Sequence, residues 1–124
     1  MIVVLDASEP RKESVRIFPQ KISRETDQTA SFLLLLDEIL LEVGNTVQDI
    51  TGLVVRLGNG RFSSTRAAVI VANSFAFTLG LPIVCISKEE SLEIENLEVK
   101  LKETSSKYVL ASYYAEPNIT KPSK

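Results

Sequence analysis

The chain has no histidine and no tryptophan, a single cysteine, and only 5 glycines in 124 residues. Without histidine, Ser-His-Asp and Cys-His catalysis are excluded, and the commonest metal ligand is missing with them. The lone Cys85 cannot close an internal disulfide, which suits a reducing cytoplasm. It lies in the apolar run Pro82-Ile83-Val84-Cys85-Ile86, where it reads as a small buried hydrophobe in a central strand. Positive charge is scarce as well. The 14 Lys and Arg against 16 Asp and Glu leave a net charge of −2, whereas gripping phosphates needs clustered cations, so direct nucleic-acid binding is not expected.

A long charge-free run is present over residues 67–87, but Gly80-Leu81-Pro82 interrupts it. Its helical part, Ala67 to Leu79, spans roughly 20 Å at 1.5 Å per residue, short of the ~30 Å hydrocarbon layer. No membrane partner is expected. The opening Met1 to Asp6 lacks a basic leader region and reads as a strand, so the expected location is the cytoplasm.

What is present fits one folded α/β domain, since 44% hydrophobic and 24% charged residues are ordinary for globular chains and single cores hold ~100–200 residues. Ile2 to Ala7 is a near-continuous β-branched run, suited to a strand covered on both faces. Glu13 to Phe18 predicts its hairpin partner, and Gln20 to Ser23 a short edge strand after Pro19. Thr26-Asp27-Gln28-Thr29 offers N-caps for a helix running to about Val43, with Gly44-Asn45 as its stop. Phe32, Leu36, Ile39 and Val43 share its core face, flanked by Leu33, Leu35 and Leu40. Ala30, Leu34 and Leu41 fall on the opposite side, a second apolar stripe that predicts a partner.

Asp49 to Ser87 predicts a βαβ unit: strand Leu53 to Leu57, a loop around Gly58-Asn59-Gly60, a helix from Ala67 to Leu79, and a second strand through Cys85. The helix is apolar nearly all round, which in a small domain demands a cover, and Ala67, Ala68, Ala72 and Ala76 would admit another helix closely. Residues 92–101 fit a helix by Leu92, Leu97 and Leu101 but also alternate like a strand; a helix is the expectation. Tyr108 to Tyr114 is β-prone, and residues 116–124 read as a flexible polar tail after a lobe over residues 1–115.

Candidate chemistry is thin. Gly58, Gly60 and Ser63 could place free amides near an anion, yet neither the GxxxxGK[ST] loop nor a third glycine is there; a turn capped by Ser63 or Ser64 is the alternative, and a contact through Arg61, Phe62 and Arg66 another. Asp6 ends the first strand where an ancestral nucleotide or metal site would lie, but Ala7-Ser8-Glu9-Pro10 has no glycine to admit phosphate, and a carboxylate capping the turn is the competing role. The acidic pairs at residues 89–90 and 93–95 sit in a solvated run unsuited to acid–base work. No cofactor, metal or catalytic residue is expected.

In order and spacing, these segments resemble the N-terminal lobe of the TsaB (YeaZ-type) family of actin-like proteins. Leu5-Asp6-Ala7-Ser8 matches the D-T-S turn with one change, LLLLDEILLEVG (Leu33 to Gly44) the helix of L-L-x-x-I-D-E-L-L type, and Gly58 to Arg66 the G-P-G-S-F-T-G-L-R loop before an alanine-rich helix and a strand like GLPIVCIS. Asn59 replaces the proline, Arg61 the serine, and Ser64-Thr65 the Gly-Leu. The resemblance covers about the first 90 residues and implies a single actin-like (ribonuclease H-like) lobe with a mixed sheet and an N-terminal hairpin. It further implies a non-catalytic subunit in threonylcarbamoyladenosine modification of tRNA, pairing with a TsaD-like protein or with itself through a helical face. Residues placed on that face are Ala30, Leu34, Leu41, Arg66, Ala72, Asn73 and Ala76. A small nucleotide-dependent enzyme using Asp6 and the loop from Gly58 to Ser64, or a homodimer without a tRNA role, are the rival expectations.

Overall fold

The computed structural model describes residues 1–10, 12–26, 31–59 and 62–104. Five strands form one mixed sheet in the order β3-β2-β1-β4-β5: β1 (Ile2–Ala7), β2 (Glu13–Phe18), β3 (Ile22–Thr26), β4 (Gly52–Leu57) and β5 (Ile83–Ser87). The first three run antiparallel as a meander, whereas β4 and β5 join β1 in parallel. Parallel neighbours need crossovers, and α1 (Phe32–Val43) and α2 (Phe62–Leu79) supply them. A third helix, α3 (Ile94–Glu103), follows β5.

Alternation along each strand sorts the core into two layers. Val3, Leu5, Val15, Ile17, Leu53 and Val55 face α1 and α2, while Ile2, Val4, Phe18, Val54 and Ile86 face α3 through Leu97 and Leu101. The β-branched run of β1 is buried throughout, as a strand covered on both faces requires.

Helix ends follow local chemistry where it is available. Gly44 takes the left-handed conformation at φ 74°, and Asn45 N–H donates to the Leu40 carbonyl at 3.0 Å, closing α1 as expected. Gly80, at φ 67°, ends α2 the same way, with Leu81 N–H on the Ala76 carbonyl at 3.0 Å. The start of α1 differs from the expected cap: Thr26 belongs to β3, and Ser31 Oγ accepts from Leu34 N–H at 3.0 Å instead. Residues 27–30, including Ala30, lie outside the described residues.

The α2 start is displaced too. The helix begins at Phe62, more than a turn ahead of Ala67, so Ser63, Ser64 and Thr65 are helical residues rather than caps. Ser64 and Thr65 are buried. The Ser64 hydroxyl donates to the buried Glu13 carboxylate at the start of β2, a tertiary partner that replaces the capping role. The edge strand sits two residues later than expected, and the strand expected over Pro82 to Ile86 one residue later. Helix prevails over strand at 94–103, because that spacing buries Leu97 and Leu101 together; Gly52, whose added Cβ would lie 2.7 Å from Leu101 Cδ1, leaves room for the latter. The β-prone segment Tyr108 to Tyr114 and the polar tail lie outside the described residues.

Candidate functional site

The carboxyl ends of parallel strands are where α/β sheets bind ligands, and here β1, β4 and β5 end beside one another. Asp6 of β1 stands opposite Arg56 of β4 in register. Both carboxylate oxygens are engaged. Oδ1 accepts from Ser8 N–H at 2.9 Å and from Ser8 Oγ at 2.6 Å, and Oδ2 accepts from Arg56 Nη1 at 3.1 Å. Arg56 Nη2 donates onward to the Lys88 carbonyl just after β5. Asp6 therefore closes its own turn and ties the three parallel strands together, which is the capping role weighed against nucleotide binding.

The loop after β4 folds onto the same turn. Asn59 N–H donates to the Ser8 carbonyl at 2.9 Å, and a Cβ at Gly58 would lie 2.8 Å from Lys88 Cδ and 3.1 Å from the Ser8 carbonyl oxygen. A side chain at 58 would crowd the Lys88 side chain and the Ser8 carbonyl, so glycine suits that close approach between two neighbouring segments. Gly60 and Arg61 lie outside the described residues, as does the middle of the altered loop with them. Ser63 is exposed in the first turn of α2. Asp6 and Gly58 thus share one end of the sheet, and a tertiary ion pair and a backbone hydrogen bond hold that end closed. No cluster of acidic and thiol groups fit to hold a metal ion occurs among the described residues.

Sequence reasoning missed Arg56 and Glu13. Arg56 interrupts an otherwise apolar strand, and a charge in such a run signals a buried counter-charge nearby. Cys85 lies half-buried on β5, which among the described residues is an edge strand rather than the central one expected, and burial, aided by the Glu90 charge, pushes its thiol up to about 12, away from a reactive thiolate. Glu90 itself is held below the usual carboxylate range by its hydrogen bond from Lys100 and by the Ser87 backbone.

The helical face divides. Leu34 (51% exposed) and Leu41 (76%) point outward on α1, and Arg66 is exposed on α2, with Asn73 half-buried. Ala72 and Ala76 are instead buried against the sheet, which removes them from any intermolecular face: they are the small residues that let α2 lie close on its own strands. Leu33, placed on the core flank from periodicity, is half exposed and lines an apolar groove of about 380 Å³ between α1 and α2 with Ile70, Val71 and Phe75. Ile70 and Phe77, seven residues apart on the outer side of α2, are exposed, Phe77 to 89%. An almost uniformly apolar helix gives no periodic signal to orient it, which is why the inward and outward sets could not be told apart beforehand.

Five strands in this order with crossover helices define a single lobe of the actin-like, ribonuclease H-like type. Among solved structures, YeaZ from Pseudomonas aeruginosa shares the fold at a TM-score of 0.62 and 23% identity, over 69% of this chain and 42% of that one. An uncharacterised protein with similarity to peptidase YeaZ from Pseudomonas aeruginosa gives 0.61 at the same identity and coverage. The chain spans less than half the length of these structures. No family model and no curated protein matches it. No described helix is long and apolar enough to cross a membrane.

Proposed function

We propose that this chain is a non-catalytic assembly subunit, related to threonylcarbamoyladenosine modification of tRNA, that joins a TsaD-like partner or a second copy of itself through the outer faces of α1 and α2. The observation that carries this reading is the exposed apolar set Leu33, Leu34, Leu41, Ile70 and Phe77 on two adjacent helices of a 124-residue chain. Scattered single apolar residues on a surface need no account, but five large ones on two neighbouring helices mark a surface built for covering. The closed arrangement at Asp6 supports the non-catalytic part, since a carboxylate already holding Ser8 and Arg56 has little left to offer a metal–phosphate group.

The double variants Leu34→Asp/Leu41→Asp and Ile70→Asp/Phe77→Asp test the face. Both should give folded monomers by light scattering that fail to co-purify with a TsaD-like protein. Association at wild-type strength by both variants refutes the assignment. Deleting the gene and measuring modified adenosine in tRNA tests the tRNA role separately: a normal level points to an orphan homodimer.

A further inference from the structure

The sheet face turned away from α1 and α2 is covered by the short α3, which packs on β4 and β5. Between the start of α3 and β2 lies a cleft of about 590 Å³, a volume suited to a small molecule. Arg16 lines it from the middle of β2, half-buried between Val4 of β1 and Ser23 of β3 in register. Its Nε is buried without a hydrogen-bond partner among the described residues. Lys21 reaches the cleft from the β2–β3 turn, where it holds the left-handed conformation at φ 60°. Neither cation is in an ion pair among the described residues.

A half-buried guanidinium that lines a cleft and holds no carboxylate among the described residues suits an oxyanion, because its planar fork binds carboxylates in a bidentate way. The opposite wall is the first turn of α3, whose N-cap Glu93 makes no side-chain capping bond. Leu92 and Ile94 give that wall an apolar surface facing Phe18. Glu93 and Glu95 are exposed at the same wall, and their charge opposes a ligand bearing several negative groups.

We infer that this cleft binds a small organic monocarboxylate with an apolar or aromatic body. Arg16 and Lys21 hold the carboxylate, and Phe18, Leu92 and Ile94 contact the body. The site lies on the opposite side of the sheet from the proposed assembly face and stands or falls independently of it.

Titration of the full ¹⁵N-labelled chain with benzoate, acetate and ATP, followed by amide shifts, tests the inference. Benzoate should give saturable shifts at Arg16, Ser23 and residues 91–95, with an affinity at least tenfold above that of acetate, and ATP should not displace it. Arg16→Gln and Lys21→Gln should each weaken benzoate at least fivefold. Lys21 lies in an exposed turn, so its variant keeps the test decisive even if Arg16→Gln perturbs the sheet. The inference is overturned by non-saturable benzoate shifts, by equal acetate affinity, by competition from ATP, or by Lys21→Gln retaining wild-type affinity.

Discussion

Asp6 shows how little a residue's position in a motif says about its work. The sequence places it at the end of β1, where an ancestral phosphate site would lie, although the turn Ala7-Ser8-Glu9-Pro10 has no glycine to admit phosphate. Its partner lies 50 residues away, and only the parallel pairing of β1 with β4 brings Arg56 alongside. The short-range half of the arrangement, Asp6 to Ser8, was legible as a turn cap; the long-range half was not, because register across a crossover leaves no local trace. The Asp6 side chain is 8% exposed and that of Arg56 19%, so removing one partner strands a largely desolvated charge. Asp6→Ala should cost about 3 kcal/mol in urea unfolding. Asp6→Ala/Arg56→Met should recover much of that loss. A double variant destabilised by the sum of the losses of Asp6→Ala and Arg56→Met alone would show that the pair is not coupled.

At the scale of elements, the strands and helix stops were readable and the helix starts were not. Gly44 and Gly80 end helices by a backbone conformation that glycine alone adopts freely, so the signal is intrinsic. Ser63, Ser64 and Thr65 resemble caps in isolation, yet Glu13 recruits Ser64 into the body of α2. The α3 segment was ambiguous because its leucines satisfy two periods, and the deciding fact is a tertiary one: β4 and β5 present an apolar face to Leu97 and Leu101. Leu97 is fully buried whereas Val99, two residues on, is half exposed. Leu97→Ala should therefore cost about 2–5 kcal/mol. Val99→Ala should change stability by less than about 0.5 kcal/mol. Comparable losses in thermal or urea unfolding would mean that the strand-like period describes this segment better.

For the whole molecule, the chain order alone foretold an actin-like lobe, and the likeness to YeaZ bears that out at the level of fold. The outward stripe of α1 was legible because polar residues Asp37 and Glu38 border it, whereas α2 offers no such border and its orientation came only with the sheet. The sheet itself has a strict hierarchy of enclosure. β1 is flanked by β2 and β4 and roofed on both faces, while among the described residues β3 has a neighbour on one side only. Amide protons should consequently trade with deuterium in a graded sequence, β3 within the first moments and the β1 amides bonded to β4 only through global unfolding. Such a gradient, measured by NMR, would make the first strand of the chain also its slowest clock; uniform rates across all five would contradict the layering.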